Sequence, residues 1–219
     1  MKKTIKQCSF IMILVLIFSS GIGYSITRAI PVGYLPGASE NSWIQKVVAK
    51  DASLKAITHP TIALNLFSDE REITDSTGAI YNRSGKKLET LVTDKNPAEI
   101  LEKTLIEQFQ KAGFTVIRTS GWDLSAEKIP GYLEADMIVG GRVKTFWVES
   151  KAGFITSTIQ SKVVYDLVFA DIHQKKIMDE KELVGSDTRK SLAHISDYFW
   201  MDIQTSISQS LTRAVNDSF

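Results

Sequence analysis

Residues 135–150 read ADMIVGGRVKTFWVES, and residues 157–172 read STIQSKVVYDLVFADI. In the second stretch Ile159, Val163, Tyr165, Leu167 and Phe169 keep the two-residue period of a strand with one buried face. Met137, Val139, Val143 and Trp147 do the same in the first. The link at Lys151-Ala152-Gly153 is short, so the two strands form an antiparallel hairpin. A second short link at His173-Gln174 leads to KKIMDEKELVGS (175–186), which is polar. It reads as an edge strand, where charge deters stray pairing.

The flanking sequence supplies the rest of the fold. TIALNLF (61–67) alternates, with Ile62, Leu64 and Leu66 on one face. GAIYNR (78–83) and KKLETLVT (86–93) form an extended pair around Ser84-Gly85. Asn96-Pro97-Ala98-Glu99 combines a cap residue, Pro at the first helical position and an acid in the first turn. Leu101, Leu105, Phe109 and Ala112 follow at helical spacing, Gly113 stops the helix, and FTVIRTS (114–120) returns as a strand. A last helix is predicted over 194–216, where Ile195, Phe199, Ile203, Ile207, Leu211 and Val215 recur every four residues. That stripe drifts around the helix, so it wraps over a sheet. The order β-β-β-α-β-β-β-β-α, with hairpins late, predicts an α+β fold: an antiparallel-rich sheet with two amphipathic helices packed on one face.

The N-terminus sets the compartment. Lys2, Lys3 and Lys6 precede an apolar run from Cys8 to Phe18. This is the layout of a secretory signal, with small-x-small cut sites ending at Ser25 or Ala29. Retention is the rival, because no charge occurs between Gln7 and Thr27. Cys8 lies ahead of the apolar core, so it is not placed to carry a lipoprotein's lipid. Residues 1–29 are therefore a signal peptide or an N-terminal membrane anchor, and the lysines favour an inside N-terminus with the body exported. Residues 30–60 form a connector broken by Pro31, Gly33, Pro36 and Gly37, with a short helix offered from Ser42 and ended at His59-Pro60. Residues 61–219 form a single α+β domain.

Composition agrees with export. The 219-residue chain carries a net +1 charge, and without Lys2, Lys3, Lys6 and Arg28 it holds 22 basic and 25 acidic residues. That excludes a nucleic-acid footprint. Cys8 is the only Cys, so the body is held by its core and not by a disulfide.

The run of strand, Asp-x-Arg loop, "LVT", capped helix ending "FQKAGFTV", then "ADMIVGGRV" and "VVYDLVFAD" resembles the YajG family of bacterial envelope lipoproteins over residues 60–215. The family's helix pattern matches Ile100 to Phe114, and its Ala-Asp strand pattern matches Ala135 to Gly141. The resemblance implies a cell-envelope protein with a small α+β domain. It implies no catalytic residues.

A search for chemistry finds little. His59, His173 and His194 are isolated, with no spacing of a metal site. No nucleophile elbow, zincin or Walker-type pattern occurs. Gly140-Gly141 inside a strand marks a bulge or a close backbone approach. Asp166 is expected opposite the core face, in solvent. One loop stands out: SDEREITDS (68–76) gathers Asp69, Glu70, Arg71, Glu72 and Asp75. Its spacing is not that of a calcium loop. Asp69 or Glu70 pairing with Arg71 or Arg83 would fix the loop, and the loop is also the candidate partner contact. No metal and no cofactor is expected.

The expectation is a non-enzymatic bacterial envelope accessory or binding protein. Its partner is an envelope protein or lipid component, not nucleic acid, with membrane contact through residues 8–27 if they are retained. The alternative is an auxiliary component of an envelope lipid or export transporter. It predicts an apolar groove near Phe146, Trp147, Phe154 and Trp200.

Overall fold

Strands β7 (Met137–Ala152) and β8 (Thr156–Asp171) are the spine, 16 residues each, or roughly 50 Å of extended chain. They pair antiparallel from Met137 with Asp171 to Ala152 with Ser157, so the hairpin read from the sequence forms. The computed structural model describes residues 26–35, 60–192 and 197–216. The readings on residues 1–25, on the helix from Ser42 and on His59, His194 and Ile195 lie outside the described residues.

The inner face of β8 is as expected: Ile159, Val163, Tyr165, Leu167 and Phe169 are all buried. In β7 the register shifts between Val143 and Thr145. This bulge flips the side-chain parity, as one unpaired residue must. Met137, Val139 and Val143 face the core before it, while Phe146 and Val148 do so after it. Trp147 is half-buried, which corrects its expected place in the inward series.

Strand β9 (Lys176–Leu192) pairs only with β8 among the described residues, so it is an edge. The other edge of β7 takes three strands in series. β2 (Thr61–Asn65) pairs with Met137–Val139, β3 (Ser68–Asp69) with Arg142–Val143, and β4 (Gly78–Tyr81) with Val148–Lys151, all parallel. Outside β2 lies β6 (Thr115–Thr119), parallel. Outside β4 lies β5 (Lys87–Thr93), antiparallel, then β1 (Ile26–Ile30), parallel to β5. The fold is α+β, but the sheet is mixed and not antiparallel-rich. Short links reveal hairpins from sequence. Parallel partners are joined by long crossovers whose pairing leaves no local mark. Strand β2 also ends a residue early for Leu66, which is 51% exposed and not on the face of Ile62 and Leu64.

Helix α1 (Pro97–Lys111) starts as read: the Asn96 side chain accepts the Ala98 N–H at 2.8 Å. It ends at Ala112, and Gly113 follows at φ 91°. Helix α2 (Asp197–Asn216) buries Phe199, Ile203, Ile207, Leu211 and Val215. Both helices share one core with the inner faces of β2, β7 and β8. The opposite face is covered by the irregular segment 120–136, whose Trp122, Ile129 and Ala135 pack over Ala63, Ile138, Val168 and Ala170.

Residues 26–35, read above as the end of the N-terminal segment and the start of the connector, pack on the folded body. Ile30, the last residue of β1, is buried, and beyond it the Gly33 and Leu35 N–H groups donate to Ser208 Oγ and Thr212 Oγ1 on α2. Cleavage after Ala29 would remove four of the five residues of β1, whereas cleavage after Ser25 would remove none.

Candidate functional site

Loop 68–76 leaves the sheet at β3. Pairing of Ser68 and Asp69 with β7, and the Glu70 N–H on Val143 O at 2.9 Å, pin its start. The Thr77 N–H on Leu91 O at 2.8 Å pins its return. Arg71 folds back between these points and is buried. Its Nε and Nη2 donate to the two Asp69 oxygens at 2.8 and 2.9 Å, a bidentate fork. Nη1 donates to Ser76 O at 2.9 Å and Nη2 to Thr74 O at 3.2 Å. The Arg71 hydrogen bonds hold the Asp69 carboxyl below the usual range.

Of the residues read from sequence, the structure therefore brings Asp69 and Arg71 together. Glu70 accepts from Ser68 Oγ and lies 4.0 Å from Arg142. Glu72 and Asp75 face solvent, with Ile73 (47% exposed) and Thr74 between them. Arg83 is not a partner of this loop; it lies over the Phe154 ring, 5.3 Å from the centroid. Among the described residues no three His, Cys, Asp or Glu side chains are gathered to hold a metal ion.

Beside the loop opens a cleft of about 520 Å³ between the ends of β2 and β6 and the start of α1. Leu66 and Asp69 form one wall, and Lys95, Lys103 and Arg118 bring positive charge to it. Its floor holds Glu102, 4% exposed. Glu102 Oε1 accepts the Phe67 N–H at 2.9 Å, and Oε2 lies 3.7 Å from Arg118 Nη2. Burial pushes the Glu102 carboxyl up, against the pull of the Phe67 N–H and Arg118. The sequence reading missed this residue. Its signal was present: Glu102 sits four residues after Ala98 and three before Leu105, on the apolar stripe of the helix.

Two other expectations change. Asp166 is buried and not in solvent, because the Lys144 ammonium reaches it at 2.7 Å and bonds Glu182 at 2.9 Å as well. The aromatics of the expected groove are not gathered into one groove: Phe146 is in the core, Phe154 is 85% exposed, and Trp200 lies under Arg28, 3.9 Å from its ring centroid. His173 is exposed and 3.9 Å from Asp136.

No family model matches the chain, and no curated protein matches it. Solved structures do. A protein of family DUF330 from Xanthomonas campestris is 12% identical, covering 88% of this chain and 91% of that one, with a TM-score of 0.48. The lipoprotein GNA1162 from Neisseria meningitidis is 10% identical over 67% of this chain and 93% of its own, with a TM-score of 0.38. The PelC dodecamer from Paraburkholderia phytofirmans is 12% identical over 71% and 87%, with a TM-score of 0.36.

Proposed function

We propose that this chain is a non-enzymatic accessory protein of the bacterial envelope, of the YajG-like type, which recognises a partner protein through loop 68–76. One observation carries the reading. A single buried guanidinium fixes both ends of the loop, while Glu72, Ile73, Thr74 and Asp75 all stand in solvent. Clamping removes conformational entropy before any partner arrives, so less is lost on docking. An exposed aliphatic between two acids is a recognition surface of stated chemistry: an apolar dimple ringed by Lys or Arg would complement it. The basic start and apolar run of residues 2–18 support export beyond the cytoplasmic membrane.

The test is a photoreactive amino acid placed at Ile73 in the full-length protein in its own cells, with Tyr132, 78% exposed elsewhere, as the reference position. A discrete protein adduct at 73 and none at 132 is expected. Glu72→Ala should weaken that adduct while shifting stability by less than about 1 kcal/mol. No adduct at 73 overturns the proposal.

A further inference from the structure

Among the described residues, eight large apolar side chains are more than half exposed, and six of them stand at one end of the molecule. Phe154 (85%) and Ile155 (70%) form the turn between β7 and β8. Leu192 (70%) closes β9 opposite Thr156. Tyr198 (75%) and Met201 (59%) open α2, and Ile26 (56%) opens β1. Topology puts these elements together. Gly78–Tyr81 runs parallel to Val148–Lys151, so the turn after β4 reaches the same end, and its Arg83 lies over Phe154. Arg28 of β1 lies over Trp200 of α2. A soluble surface scatters such side chains singly, and a cluster from four separate elements marks an interaction face.

We infer that this end of the molecule lies against a lipid bilayer. The inference deepens the envelope reading above and rests on the apolar segment ahead of Ile26 staying in the membrane. Three arguments favour a bilayer as the occupant. First, residues 8–25 carry no charge and run directly into β1 at Ile26, so a retained anchor ends at this pole of the molecule. The opposite end of the hairpin is roughly 50 Å away, so an anchored chain presents this end to the membrane. Second, the patch mixes Phe, Tyr, Met and aliphatic side chains, which suits the fluid headgroup boundary. Third, Arg83, Lys86, Lys87, Lys151 and Lys190 surround it, against Glu149, Asp197 and Asp202, while Glu89 is already paired with Arg28. An excess of exposed bases favours anionic lipid.

The test uses the full chain with Cys8→Ser, carrying a single fluorescent label through Phe154→Cys, Tyr198→Cys or Tyr132→Cys. It is reconstituted into vesicles of phosphatidylethanolamine and phosphatidylglycerol that carry nitroxide-labelled lipid as quencher. Tyr132 precedes β7 at the far end of the hairpin, so it reports the opposite pole. Loss of fluorescence at 154 and 198, with none at 132, is the expected result. A chain that floats with the vesicles but shows no quenching at 154 and 198 overturns the bilayer contact and leaves the anchor standing. Equal quenching at all three positions overturns it too, since the molecule would then lie flat. A chain that does not float at all overturns the anchor and the contact together.

Discussion

Residues 68–76 and residues 120–136 both depart from the strands, the first from the edge of β7 and the second over a face of the sheet, the first held by a charge and the second by a ring. They meet on two neighbouring residues of β7. A Cβ at Gly140 would lie 2.6 Å from Leu124 Cδ2 and 3.3 Å from the Trp122 ring. A Cβ at Gly141 would lie 2.2 Å from the ring of Phe67, the residue before loop 68–76. The paired glycines thus leave room for Phe67 on one face of the strand and for segment 120–136 on the other. From there the two diverge. Trp122 is buried, its Nε1–H donates to Ser125 O at 2.8 Å, and its backbone is tied to the Asn65 side chain. Segment 120–136 is a wall of the second core. Arg71 is buried as well, but everything it bonds belongs to its own loop. A ring adds area to a core; a guanidinium adds shape to a loop and leaves its tip free to present.

The largest effect is expected at Trp122. Trp122→Ala removes the largest side chain of the second core and should cost about 4 kcal/mol, read from the urea midpoint. A cost below about 1 kcal/mol, the scale of a surface change, would mean that segment 120–136 is not part of the core. Arg71 comes second. Arg71→Ala leaves Asp69 without its guanidinium partner and the buried Ser76 carbonyl without a donor, which should cost about 3 kcal/mol. The effect should also be local: a protease should begin to nick residues 72–75 under conditions that leave the wild type intact. Arg71→Lys keeps the charge but lacks the fork, so it should restore only part of the stability. Equal protease resistance in all three forms would remove the clamp from the account of this loop.

The fold was largely legible wherever a pattern was local. The Asn96 cap, the Leu101–Leu105–Phe109 stripe, the inner face of β8 and the α2 stripe from Phe199 to Val215 all form as read. What was missed is not local. The place of β2, β3 and β4 along one edge of β7 depends on contacts across long crossovers. The parity of Phe146 and Val148 depends on a bulge that the alternation of β7 alone does not mark. For the site, the pairing of Asp69 with Arg71 was within reach, because only Glu70 stands between them in the chain. The burial of Asp166 was not, because Lys144 owes its position beside it to that same bulge.

The smallest effect is the sharpest, because two carboxylates of the same cleft should respond to pH with opposite sign. Asp69 has its pKa held below the ordinary 3.8, chiefly by the Arg71 hydrogen bond. The unfolded chain therefore binds this proton more readily, so the contribution of Asp69 to stability is complete above pH 3.8 and is lost as pH falls through its lower folded value. Glu102 has its pKa raised above 4.5 by burial. Here the folded chain binds the proton more readily, so ionised Glu102 lowers stability at neutral pH. That cost disappears as pH falls from the raised folded value to below 4.5. Glu102→Gln keeps an oxygen for the Phe67 N–H and sheds the buried charge. It should stabilise the protein at pH 7 by about 1 kcal/mol, with no gain below pH 4.5. Asp69→Asn should do the reverse, weakening the protein at pH 7 and converging with the wild type in acid. Urea midpoints of the three proteins at the two pH values decide it. If Glu102→Gln proves less stable at pH 7, the Arg118 guanidinium 3.7 Å away outweighs the burial. The cleft floor would then be a second ionic clamp, like the one in the loop beside it.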